Sequence, residues 1–149
     1  MNPRNFARIA RYLLGGGFVL FGLNGFLSFL PSPPPPPAAA MSFATALIAT
    51  GYMFPLIKGT EVIAGLLLLG DRFVPLALAL LAPVLVNIVA FHLFLAPAGI
   101  LLPLALIVAE LFLAWSYRDA FAPMLRARVE PSSTRAERNR DVRSLGAAA

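Results

Sequence analysis

A chain of 149 residues that is 59% apolar, has no cysteine and carries a formal charge of +5 excludes several classes of protein at once. Its mean hydropathy of +0.80 reflects more apolar surface than a soluble core of this size absorbs, whereas lipid solvates it, and the lack of Cys removes disulfides, thiolate-held iron–sulfur clusters, c-type haem attachment and dithiol redox chemistry. The basic residues flank apolar runs instead of interleaving with aromatics on a soluble face, so their expected partner is anionic lipid and not nucleic acid.

The first apolar run, 9–30, is long enough to cross a hydrocarbon core of about 30 Å as a helix. Arg4, Arg8 and Arg11 stand at its start, and residues 1–8 read as a short tail. The run exceeds the 7–15 residues of a signal-peptide core, and the prolines after it separate it from any cleavage point at Ala38–Ala40, so it reads as a span. Pro31, Ser32 and Pro33–Pro37 predict extended polyproline structure. After them, residues 39–50 set Phe43, Leu47 and Ile48 at helical spacing among Ser42, Thr45 and Thr50, which predicts a short interfacial helix within the loop 31–51.

Three further runs, 52–70, 74–95 and 100–117, complete the expected fold: an all-α membrane protein, four antiparallel transmembrane helices with an interfacial helix after the first span. Pro55, Pro83 and Pro103 mark helix starts or kinks. The tight connections at 71–72 and 96–99 predict that sequential helices pack as neighbours. Every Arg lies in the N-terminal stretch, the 71–72 turn or the segment after Tyr117, so both termini are expected in the cytoplasm, in a bacterial inner membrane. Residues 119–128 read as one more interfacial turn and those from Val129 onward as disordered, in a basic tail 119–149.

The candidate site is the set of polar side chains inside these runs: Asn24, Lys58, Glu61, Asn87, His92 and Glu110. An ionised group at hydrocarbon depth costs roughly 2.5–3.5 kcal/mol on insertion scales, so it persists where it pairs, faces a packed interior or serves function. Counting along each run places Asn24, Lys58, Glu61 and Asn87 in the outer half, His92 at the outer mouth and Glu110 nearer the midplane. Lys58 and Glu61, three residues apart, share a helix face and predict an ion pair. Glu110 has three options: to reach Lys58 or His92, to accept from Asn24 or Asn87, or to hold a proton.

A network of this kind can also exist only to fix helix register, at roughly 0.6–2 kcal/mol per buried hydrogen bond. His92 alone, beside Phe91 and Phe94, reads as an interfacial anchor sooner than a ligand. One His, no Cys and carboxylates without His three or four residues away argue against a metal site. Gly15, Gly16, Gly17, Gly22 and Gly25 read as close-packing positions on the first helix, with Gly15, Gly22 and Gly25 not expected on one face.

Residues 11–26 (RYLLGGGFVLFGLNGF), 58–75 (KGTEVIAGLLLLGDRFVP) and 87–97 (NIVAFHLFLAP), with the spacing of the runs, resemble the DoxX-like (DoxX/DoxD) family of small bacterial membrane proteins over about residues 8–118. Arg11, Gly22, Asn24, Glu61, Gly65 and Arg72 match its pattern, while Gly25 stands where such proteins often carry Lys, a charge that Lys58 is positioned to supply. The resemblance implies an accessory or quinone-proximal subunit of a membrane redox system that brings no redox group of its own. The namesake subunit belongs to a thiosulfate:quinone oxidoreductase, and other members resemble partners of oxidative-stress or thiol-redox complexes. The alternatives are a small transporter or proton-pathway protein and a structural membrane scaffold. Beyond the bilayer, a redox partner protein, a small molecule such as a quinone and further copies of this chain are the partners left open.

Overall fold

In apolar surroundings a backbone finds hydrogen-bond partners only within itself, and runs of Leu, Ala, Phe and Val between Gly and Pro punctuation meet that demand as helix. The structure, a computed structural model, describes residues 3–31, 34–129 and 131, and among these it holds helices and turns and no strand. The helices are α1 (Pro3–Leu27), α2 (Ala38–Ala49), α3 (Met53–Leu69), α4 (Val74–Phe94), α5 (Leu101–Ser116) and α6 (Arg118–Phe121), with a 3-10 turn at Pro97–Gly99.

The chain divides into two units, Met1–Arg118 and Asp119–Ala149. In the second, the end of α6 and turns reaching Leu125 occupy the predicted interfacial segment. Apart from Val129 and Pro131, the stretch expected to be disordered lies outside the described residues.

Helix α1 begins at Pro3, where a missing N–H is harmless, so Arg8, expected in a short tail, rides on the helix as Arg11 does. It stops at Leu27, three residues before the apolar run ends. Ser28 turns left-handed at φ 49°, and the Asn24 side chain accepts a 2.7 Å hydrogen bond from the Leu30 amide. Pro37, at φ −53° and ψ 151°, has the polyproline geometry expected of its run. Helix α2 ends in a corner: Thr50 Oγ1 donates to the Leu47 carbonyl and accepts from the Met53 amide, at 2.7 and 3.0 Å, while Gly51 takes φ 76°, open to glycine without strain. The axes of α2 and α3 differ by 91°.

In the first unit α1 packs on α3, α3 on α4, α4 on α5 and α5 back on α1. Leu14, Leu68, Leu78, Leu81, Leu85 and Leu113 fill the centre of this ring. Phe6 and Phe112 meet edge to face at 4.8 Å, joining the start of α1 to the end of α5. Two helices, α1 from Asn5 and α4, are long and apolar enough to cross a membrane, or three spans exist if α2 and α3 form one broken crossing. Helices α3 and α5 have 17 and 16 residues, short of the ~20 that a typical core requires.

The α1–α3 contact overturns one expectation. Gly15, Gly22 and Gly25 all face α3: a Cβ added to them would meet the Gly65 carbonyl oxygen at 2.9 Å, Val62 Cγ2 at 2.8 Å and the Lys58 side chain at 2.7 Å. Seven residues fall only about 20° short of two helical turns, and three more swing Gly25 about 60° further, so the three glycines share a sector of roughly 80°.

A Cβ on Gly65 would in turn lie 2.8 Å from the Gly15 carbonyl oxygen, whereas one on Gly16 meets nothing within 4 Å. Gly65→Ala should therefore destabilise the protein by about 1–3 kcal/mol through overpacking, and Gly16→Ala should stabilise it by up to about 1 kcal/mol through reduced chain entropy. Thermal unfolding in detergent measures both.

Candidate functional site

Of the six polar side chains that the sequence singles out, three line one cavity: Lys58, Glu61 and His92. Lys58 and Glu61 lie one turn apart on α3, and the Lys58 ammonium donates to both carboxylate oxygens of Glu61, at 3.1 and 2.8 Å. Glu61 is only 2% exposed, so its charge is tolerable because the ammonium is fixed beside it. Glycines on α1 make the room. The Lys58 stem lies over Gly25, and Glu61 Cβ would be 3.1 Å from a Cβ at Gly22.

His92 comes from the last turn of α4 and is held by its own helix. Its Nδ1 is 2.8 Å from the Ile88 carbonyl oxygen. A carbonyl only accepts, so Nδ1 is the donor, and the tautomer of the uncharged ring that this bond selects carries its lone pair on Nε2. Gly99 in the 3-10 turn admits the ring, since a Cβ there would lie 2.9 Å from His92 Cδ2. Phe91 supports it edge to face at 5.2 Å and in turn touches Phe43 of α2 at 5.7 Å.

The cavity has a volume of about 330 Å³ and apolar walls from Phe18 and Phe21 of α1, Ile88 of α4, and Leu102, Pro103 and Leu106 of α5. Phe21 and Leu102 are themselves exposed, 39% and 51%, so the cavity meets the outer surface between α1 and α5. Its polar functions are few. An ammonium has three N–H donors and Glu61 takes two, which leaves one, and His92 offers an acceptor. That pairing suits a small ring or head group bearing both an oxygen acceptor and a hydroxyl donor. Among the described residues no three His, Cys, Asp or Glu side chains gather as metal ligands would.

The other three candidates are not brought into this cavity. Asn24 accepts from the Leu30 amide and so ties down the chain where it leaves α1. Asn87 lies on the exposed face of α4, because five residues separate it from His92 and turn it well away round the helix. Glu110 is 5% exposed and falls along α5 between Leu106, a wall of the cavity, and Phe112. Among the described residues its carboxylate makes no ion pair, so the reach to Lys58 or His92 is not made.

A second ion pair, with a buried arginine and an exposed carboxylate, escapes the sequence reading. Arg11, 2% exposed, pairs with Asp71 of the α3–α4 turn, at the opposite end of the ring from His92. Arg11 counts in the sequence as one of the basic residues that orient α1. The signal for more lies in its position inside the apolar run that starts at Ile9, with Asp71 an acid on the same expected side.

Compared with known proteins, the chain matches no family model, no curated protein and no solved structure. Its functional reading rests on the geometry above and on the resemblance in its sequence.

Lys58→Met leaves a buried carboxylate without its counter-charge and should lower stability by roughly 2–4 kcal/mol, slightly under the usual range for a broken buried pair because the Lys58 side chain is 21% exposed. Lys58→Met/Glu61→Leu should regain most of that loss. Thermal unfolding of the two variants beside wild type checks both statements.

Proposed function

We propose that the chain is a DoxX-like integral membrane protein in which α1, α3, α4 and α5 each cross a bacterial inner membrane, with both termini cytoplasmic and α2 lying along the outer surface. In this reading the short α3 and α5 cross because α1 and α4 flank them in the ring, and modest local thinning of the bilayer absorbs the remaining mismatch. The right-angle corner at Gly51 suits an α2 that lies across the helix ends.

The Lys58–Glu61–His92 cavity then serves as a head-group site for a lipophilic redox molecule, a quinone by class, in an accessory subunit of a redox system. One observation carries this: Lys58, with one ammonium N–H left over from Glu61, and His92, held through Nδ1, line a cavity with apolar walls that opens to the surface between α1 and α5. Lys58 would donate to a quinone oxygen and His92 Nε2 would accept from a quinol hydroxyl. The redox change belongs to the quinone; the residues hold, orient and exclude water. The departure at Gly25 from the family pattern fits as well, since Lys58 lies over that glycine.

A second reading, a proton or solute pathway, is favoured by Glu110, a buried carboxylate with no counter-charge among the described residues. Proton flux in liposomes that is lost in Glu110→Gln, with no quinone response, selects it.

For the quinone reading, short-chain ubiquinone and menaquinone analogues should raise the melting temperature of the detergent-purified protein saturably. Glu61→Gln and His92→Phe should weaken the half-saturating concentration about tenfold or more, the worth of one good hydrogen bond to a charged or fully oriented partner. No shift with any analogue removes the quinone assignment.

The absence of native cysteine makes the crossing pattern directly testable. In intact spheroplasts a membrane-impermeant thiol reagent should label Ala98→Cys, and should label Arg72→Cys only after permeabilisation. Equal labelling of the two overturns the four-span topology.

A further inference from the structure

The end of the ring opposite His92 holds a second and larger cavity, of about 540 Å³, between the start of α1, the α3–α4 turn and the end of α5. Its charged walls are three guanidinium groups, Arg8, Arg11 and Arg118, against one carboxylate, Asp71. Arg11 is buried, and although its Nη1 forms the ion pair with Asp71, that nitrogen has no aligned hydrogen bond. Arg8 and Arg118 are exposed at the rim. Arg118 is held there by Trp115, whose ring its guanidinium overlies at 5.3 Å and whose carbonyl accepts from its Nη1 at 3.3 Å. A single carboxylate leaves an excess of positive charge and several N–H donors aimed at one space, and planar guanidinium donors match the oxygens of a phosphate.

The surroundings say what kind of phosphate. Trp115 is 70% exposed and Tyr117 lines the same cavity, the aromatic pair that membrane proteins place at headgroup level. Directly along α5 and α1 from this cavity, Leu111, Val108, Leu13 and Ile9 are exposed, an apolar path fit for acyl chains. Basic pockets between membrane helices on the cytoplasmic side bind anionic head groups.

We propose that this cavity is a binding site for the phosphate of an anionic phospholipid, with Arg8, Arg11 and Arg118 as ligands and the acyl chains along α1 and α5. The placement at a membrane surface rests on the membrane reading above; the binding chemistry is separate from the quinone assignment, and a soluble lipid tests it without a bilayer.

The test titrates the full chain, purified in uncharged detergent, with dihexanoyl phosphatidylglycerol, dihexanoyl phosphatidylcholine or sodium phosphate at constant ionic strength, and reads the melting temperature. Phosphatidylglycerol should stabilise saturably, phosphatidylcholine should not, and Arg8→Gln/Arg118→Gln should raise the half-saturating concentration about tenfold or more relative to wild type. Arg118→Gln alone should move it in the same direction by less, which keeps the test open if the double variant folds poorly. Phosphatidylglycerol without a response to phosphate identifies a lipid headgroup; a response to phosphate that the arginine substitutions also weaken keeps the anion site and makes free phosphate its source. Equal stabilisation by phosphatidylcholine, an unchanged curve in Arg118→Gln and the double variant, or no response to either anion overturns the proposal. None of these results bears on whether quinone analogues bind at Lys58.

Discussion

The backbone-to-backbone approach of α1 and α3 is the constraint on which the rest of this structure depends. Gly15 and Gly65 let two carbonyl-bearing helix surfaces come within reach of each other, and the same stripe continues through Gly22 and Gly25. Close approach of this kind replaces the hydrophobic drive that helices lack in lipid with dense van der Waals contact. It also decides where the charges go. With side chains at 22 and 25, Glu61 and Lys58 would have to turn out of the interface, and the pair that walls the cavity would not form as it does.

The electrostatics are arranged by end. Lys58 and Glu61 neutralise each other on one helix near the end where His92 stands, and Arg11 and Asp71 do so between α1 and the α3–α4 turn at the other. Between them the ring is nearly all Leu, Ala and Phe, apart from Glu110. Neither ion pair needs to contribute much stability for this to matter. What such pairs supply is the large cost of separating them, which penalises any arrangement of the helices that slides or rotates one partner away.

Much of this was legible in the sequence. Helix positions followed from run length and punctuation, and the Lys58–Glu61 pair from a spacing of three on one helix. The corner before α3 and the left-handed residue that ends α1 were not, because Thr50 and Asn24 act through local hydrogen bonds that composition does not reveal. Asn87, expected in the polar cluster, lies on the exposed face of α4: position along a helix is set by rise per residue, facing by rotation, and only contact with neighbours fixes the latter. His92 read as an interfacial anchor; the structure shows its ring held by Ile88 of its own helix, and that bond leaves its second nitrogen free of the helix. Arg11 was hidden by its company, one Arg among three near the start of the chain.

The Arg11–Asp71 pair has a consequence for biogenesis. A ribosome delivers α1, with its guanidinium already inside the apolar stretch, long before the carboxylate that neutralises it exists, and α1 is the less apolar of the two long helices, with mean hydropathy of 1.3 against 2.4 for α4. Arg11 is thus without its counter-charge until the α3–α4 turn has been made. The carboxylate that matches Arg11 comes from the turn between α3 and α4, so α1 reaches its final charge balance only once more than half of the first unit has been synthesised.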